Sequence, residues 1–106
     1  AAAVRALAPA RVSLVAMGIR SQAPAPEDER CADYLHSLLT GADYDHVAAM
    51  AEILAHETAQ KFLRGDKPYL PAADPAYCLQ RNLFNFALRA VVQDGRIAAL
   101  PVPLGA

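Results

Sequence analysis

Val12-Ser13-Leu14-Val15-Ala16-Met17-Gly18-Ile19-Arg20-Ser21-Gln22-Ala23-Pro24-Ala25-Pro26-Glu27-Asp28-Glu29-Arg30-Cys31-Ala32 runs from an apolar stretch, through a polar loop, into a helix that opens with three acids. Val12 to Met17 is too uniformly apolar for a sheet with one wet face, so it reads as a central or parallel strand covered on both sides. The C-terminal end of such a strand faces a crevice, and a strand-to-helix corner there is where open α/β proteins place their chemistry. The reading of this corner therefore sets the expected fold class, α/β.

Outward from the corner the chain punctuates itself clearly. Pro24 and Pro26 fix the approach to a helix from Glu27 to about Thr40, with Glu27, Asp28 and Glu29 in the first turn, where carboxylates interact well with unpaired amides. Cys31, Tyr34, Leu35, Leu38 and Leu39 recur at helical spacing and form its inward stripe, leaving Arg30, Asp33, His36 and Ser37 outside. Gly41 supplies a left-handed stop. Asp43 or Asp45 caps a second helix, His46 to Arg64, whose apolar set Val47, Met50, Ala51, Leu54, Thr58 and Phe62 keeps one face until Gly65. Its charged set, Glu52, His56, Glu57, Lys61 and Arg64, reads as the solvated side.

Asp66 to Ala73 is proline-bearing and irregular, with Tyr69 and Leu70 as its anchors to the core. Asp74-Pro75 pairs an aspartate cap with proline at the first helical position, and predicts a short helix through Tyr77 and Cys78 to about Asn82. Phe84 to Val92 and Ile97 to Val102 then form a β-hairpin about Asp94-Gly95, a dipeptide suited to a tight primed turn. Pro101 and Pro103 mark the second strand as an edge or its end.

The 106 residues fit a single α/β domain, residues 1–106, able to bury roughly two-thirds of its unfolded surface. Ala1 to Pro9 reads as the last turns of a helix stopped near a proline. Ten Lys and Arg against eleven Asp and Glu give a net charge of -1 and no basic stripe, which removes the electrostatic case for nucleic acid or an anionic membrane surface. No apolar run approaches the roughly 20 residues that span a bilayer. Cys31 and Cys78 lack CxxC spacing and a cysteine-dense framework, so two reduced thiols in a cytoplasmic protein are expected.

The order of these parts resembles the second half of the 2-phosphosulfolactate phosphatases, magnesium-dependent enzymes of the archaeal coenzyme M pathway with bacterial relatives. The matching parts are the apolar strand Val12 to Met17, the loop Gly18 to Pro26, and the helix start Glu27-Asp28 with Cys31-Ala32. The long helix around His46 to Arg64, Asp74 to Cys78, and the terminal Asp94-Gly95-Arg96 hairpin follow in the same order. The resemblance implies that the chain is the C-terminal half of a longer phosphatase, one lobe of two, with its site in the cleft and the N-terminal half as its partner. It implies hydrolysis of a phosphate monoester, 2-phosphosulfolactate or a related small phosphorylated acid, with Mg²⁺ as cofactor. The catalytic candidates are Asp28, Glu27 and Cys31, with Asp28 and Glu27 as metal ligands. Asp74, Tyr77 and Asn82 fall where the family's acidic-x-x-Tyr-Cys segment and the polar positions after it lie. Asn82 and Asn85 are amides where the family is more often acidic, which argues against metal ligation there.

The residues themselves make some of this chemistry reasonable. Gly18, Arg20 and Ser21 offer amides, a guanidinium and a hydroxyl to a phosphate between a strand end and a helix start. Acids that close would repel a phosphate unless a cation intervened, hence the expectation of Mg²⁺. Adjacent helical residues point about 100° apart, so Glu27 and Asp28 cannot easily chelate one ion together; one faces the metal while the other orients a loop amide or a water. Asp28 and Cys31, three apart, share a face. Cys31 lacks the Cys-x5-Arg loop of a cysteine phosphatase and reads as packed or site-lining. His56-Glu57-Thr58-Ala59-Gln60 has Gln where a zinc-protease helix needs its second histidine, and is rejected. His36 and His46 have no partner at ligand spacing.

The expected architecture is thus a small mixed sheet of one central strand plus the C-terminal β-hairpin, flanked by helices. A non-catalytic interaction or dimerisation module, with a possible homodimer, and an anion-binding regulatory domain are the alternatives to the phosphatase.

Overall fold

A computed structural model describes residues 1–104 and shows a mixed α/β chain. Helix α1 (Ala2–Leu7) is stopped by Ala8 in the left-handed region. Helix α2 (Pro26–Thr40) begins with proline in the first turn, carries Glu27, Asp28 and Glu29 there, and ends on Gly41 at φ 80°. The Gly41 amide donates to Ser37 O at 2.8 Å, closing the last turn as the glycine stop predicts.

The second helical segment is not continuous. Helix α3 (His46–Ala55) is capped by Asp45, whose Oδ1 accepts from Ala48 N at 3.0 Å, which settles the choice between Asp43 and Asp45. His56 then leaves the helix at φ −68°, ψ 148° and becomes the cap of helix α4 (Glu57–Arg64), its Nδ1 accepting from Thr58 N at 3.2 Å. Gln60 Nε2 donates to the Leu54 carbonyl at 2.6 Å, holding the break from the other side. No proline or glycine announces this break; a side chain outcompetes the helix for the backbone donor. Gly65 ends α4 at φ 67°.

The buried face of α3 also differs from the expected one. Ala49 and Ile53 are buried while Val47 and Leu54 are exposed, so the helix turns a different side inward. Two facts account for the choice. Ala49 permits close approach of α2, and Arg30 on α2 lies 3.6 Å from Glu52 on α3, orienting the pair. Burial of Ile53 contributes about 2 kcal/mol. Helix α5 (Asp74–Cys78) is shorter than expected and starts one residue early: Ala73 is its N-cap, Asp74 is the first helical residue and makes no capping bond, and Asn82 lies beyond the helix at φ 55°. Of the two expected anchors in the loop before it, Tyr69 is exposed and Leu70 is half-buried.

The largest correction concerns Val12 to Met17. The segment pairs with no strand among the described residues, and Val15 and Met17 are 76% and 68% exposed. Only an isolated bridge, Ile19 with Ala23, follows it. A strand exists by its ladder, and apolar composition cannot supply the neighbour. The sheet is therefore not mixed: it is the antiparallel pair β1 (Phe86–Gln93) and β2 (Arg96–Pro103). Asp94 and Gly95, at φ 52° and 73°, form the primed turn between them.

Contacts divide the chain into two units, one comprising Arg11–Leu79 and the other Ala1–Ala10 with the chain from Gln80 onward. In the first, Ala25, Pro26, Ala49, Ile53 and Ala59 are the buried residues. In the second, the hairpin has two faces. Ala87, Val91, Ala98 and Val102 are half-buried on one. Leu88, Ala90, Val92, Ile97, Ala99 and Pro101 are exposed on the other. No described helix is long and apolar enough to cross a membrane.

Candidate functional site

The corner that the sequence singles out is held closed by one side chain. Asp28, in the first turn of α2, accepts a hydrogen bond at Oδ2 from the Gly18 amide, at 2.8 Å across ten residues of chain. Between them the backbone folds into a tight turn. Ile19 N donates to Ala23 O at 2.7 Å, Gln22 N to Ile19 O at 2.9 Å, and Ala23 N to Ile19 O at 3.3 Å. Arg20 and Ser21 occupy its centre at φ 52° and 57°, both left-handed and neither glycine. Each such residue costs about 1 kcal/mol or more. Gly18 itself has φ 74°, and a Cβ there would overlap the Ala23 carbonyl oxygen, so glycine is required by both angle and space.

The structure thus brings together Gly18, Arg20, Ser21 and Asp28 in one turn-and-helix corner, with Glu27 beside Asp28 and half-buried. Arg20 and Ser21 are exposed. Cys31 is exposed rather than packed in an inward stripe, as is Cys78, and both thiols are free. Asp74, Tyr77 and Asn82 are spread along and after α5, with Tyr77 exposed.

A concave feature lies between α2, the connection Gly41 to Asp45, and α3. This depression has a volume of about 300 Å³, and Arg30, Asp33, His36, Asp43, Asp45 and Glu52 supply its charged or titratable side chains. Arg30 Nη1 pairs with Asp33 Oδ2 at 3.1 Å, while its Nε lies 3.6 Å from Glu52 Oε2, too long for a hydrogen bond, and is buried without one. Tyr44 forms part of the wall, its ring 5.1 Å from that of Tyr34 and its hydroxyl 3.0 Å from His46 Nδ1. His46 thus has a partner, in Tyr44. Four carboxylates against one guanidinium make the depression unsuited to an anion.

The depression was within reach of the sequence only in outline. Arg30, Asp33 and His36 recur at i, i+3 and i+6, hence on one helical side, and Asp43-x-Asp45 lies in the following connection. That they face α3 across a cavity depends on how α3 is rotated, which its own periodicity misstates.

Magnesium is commonly held by one or two carboxylates together with water and substrate phosphate. Glu27 and Asp28 meet that minimum in chemistry. Among the described residues no three His, Cys, Asp or Glu side chains converge to hold a metal by themselves. Comparison with known proteins finds no matching family model, no matching curated protein and no matching solved structure.

Proposed function

We propose that the Gly18–Asp28 corner is the phosphate-binding part of a Mg²⁺-dependent phosphoric monoester hydrolase acting on a small phosphorylated acid, of which 2-phosphosulfolactate is the leading candidate. One observation carries this reading. The left-handed turn Arg20-Ser21, made of residues that do not favour it, is clamped onto the start of α2 by Asp28. Strain of this kind persists where the surrounding structure holds it, and it clusters at ligand clamps and active sites.

In this reading the two neighbouring acids have different tasks. Asp28 positions the loop through the Gly18 amide, and Glu27, with the Asp28 carboxylate beside it, would hold the ion. Arg20 and Ser21 would bind the phosphate oxygens, the guanidinium as a forked donor. Bound there, Mg²⁺ would offset charge on the phosphoryl oxygens. Cys31 is a site-lining thiol rather than a nucleophile.

The test is Mg²⁺-dependent phosphate release from 2-phosphosulfolactate and from a chromogenic phosphate ester, comparing the longest form of the protein with Glu27→Gln and Asp28→Ala. Turnover that requires Mg²⁺ and falls roughly a hundredfold or more in both variants supports the reading. A folded, unmutated protein that releases phosphate from neither ester overturns it.

A second reading, a non-catalytic interaction module, is favoured by one observation in the other unit. The hairpin leaves an apolar face uncovered, with Val92 and Ile97 at 78% and 81% exposure. Surfaces of this kind mark association sites.

A further inference from the structure

The two edges of the hairpin are not equivalent. Leu104 N donates to Asn85 O at 2.9 Å, which makes that pair hydrogen-bonded. Antiparallel pairs alternate, so Ala87 with Val102, Arg89 with Leu100, Val91 with Ala98, and Gln93 with Arg96 are hydrogen-bonded across the hairpin. The residues between them turn their amides and carbonyls away from the partner strand. On β2 these are Ile97, Ala99, Pro101 and Pro103, so half of its outward donor positions are proline and have no N–H. On β1 they are Phe86, Leu88, Ala90 and Val92, every one a donor and an acceptor. Among the described residues no strand pairs with that side of β1.

We propose that the outer edge of β1 is a dimerisation edge, which pairs antiparallel with β1 of a second copy of this chain about a two-fold axis through Ala90. The resulting sheet has the order β2-β1-β1-β2. A second copy is the occupant that the hydrogen-bonding pattern selects, because the edge is self-complementary and the assembly closes. Both outer edges of the four-stranded sheet are then the proline-bearing β2, which resists further growth. The isologous contact therefore ends at two copies instead of running on as a fibre.

The register follows from charge and length. With Ala90 facing Ala90 of the second copy, Leu88 faces Val92, and pairing extends from Ala87 to Gln93, nearly all of β1. Arg89 then lies opposite Val91, whereas moving the axis to Arg89 would set two arginines face to face, which is unfavourable. About six main-chain hydrogen bonds form, since each hydrogen-bonded pair contributes two. Residues of even number pair with residues of even number, so the exposed apolar faces of the two copies become one continuous face. This inference does not depend on the phosphatase reading, because it concerns only the hairpin.

The test uses analytical ultracentrifugation of the longest form of the protein, with Ala90→Pro on the proposed edge and Ala99→Pro as its counterpart on the outer edge of β2. Neither proline removes a hydrogen bond within the hairpin. The expected result is a dimer for the unmutated protein and for Ala99→Pro, with dissociation constant raised roughly tenfold or more in Ala90→Pro. A monomer for the unmutated protein up to high concentration overturns the proposal, as does a dimer that both prolines leave intact. Because Ala90→Pro can fail to fold, a symmetric cross-link is the independent check. In a Cys31→Ser, Cys78→Ser background, Ala90→Cys should oxidise to a covalent dimer, since the two-fold places its Cα atoms within disulfide range. Ala99→Cys should not. Equal cross-linking of the two, or none from Ala90→Cys, overturns the edge assignment.

Discussion

Two tight turns in this chain, Ile19 to Ala23 and Gln93 to Arg96, share a left-handed pair of residues and have opposite chemistry. Both place two consecutive residues at positive φ: Arg20 and Ser21 at 52° and 57°, Asp94 and Gly95 at 52° and 73°. Asp-Gly suits that geometry and can form its hairpin from local preference. Arg-Ser does not. Its turn is kept by three backbone hydrogen bonds and by the Asp28 carboxylate on the Gly18 amide. The hairpin turn serves the fold, whereas the corner turn retains two polar side chains at a cost, which is the pattern expected of a binding loop.

Substitution at the two glycines separates the turns most sharply. Gly18→Ala meets both an unfavourable φ and the Ala23 carbonyl, and should lower stability by about 3 kcal/mol as the Ile19–Ala23 bonds yield. Urea denaturation checks this. A loss no greater than that of Gly95→Ala would mean that the close approach to Ala23 relaxes freely. Next in size, replacing Arg20-Ser21 by Asn-Gly should stabilise the protein by about 2 kcal/mol through relief of the two left-handed residues. If the corner binds phosphate, the same variant loses turnover while its denaturation midpoint rises. A variant that gains stability and keeps full activity would make the strain irrelevant to function.

Asp28→Ala should cost about 1.5 kcal/mol, the usual contribution of a hydrogen bond to a charged group. It should also increase hydrogen exchange at the Gly18 amide. Unchanged protection of that amide would show that the turn stands without its clamp. Gly95→Ala is the smallest effect, about 1 kcal/mol, because the added methyl meets nothing within 4 Å and only the φ of 73° is penalised.

The two halves of the candidate corner differ in how far the sequence anticipates them. Proline before the helix and three acids in its first turn mark α2 within a residue at its start, and Gly41 marks its end. The expectation that one of two neighbouring carboxylates orients a loop amide matches the Asp28–Gly18 bond. The left-handed turn at Arg20-Ser21 is invisible by comparison, because neither residue type prefers it and it is held by backbone bonds within Ile19 to Ala23 and by the Asp28 carboxylate ten residues from Gly18.

What the sequence by itself determined is therefore what short-range chemistry decides: the limits of α2, a cap at Asp43 or Asp45, the glycine stops at 41 and 65, and the Asp94-Gly95 hairpin. Each depends on a side chain and a backbone group only a few residues apart. Tertiary structure alone decided that Val12 to Met17 pairs with no described strand and that α3 buries Ala49 and Ile53, outcomes that depend on partners distant in the chain: a ladder neighbour and an arginine on another helix. The break at His56 is local, made by bonds across two and six residues, but no residue type announces it, because the same side chains also suit a continuous helix. Apolar composition states that a segment must be covered, but its pairing partner and inward face are set by long-range contacts that no local pattern encodes.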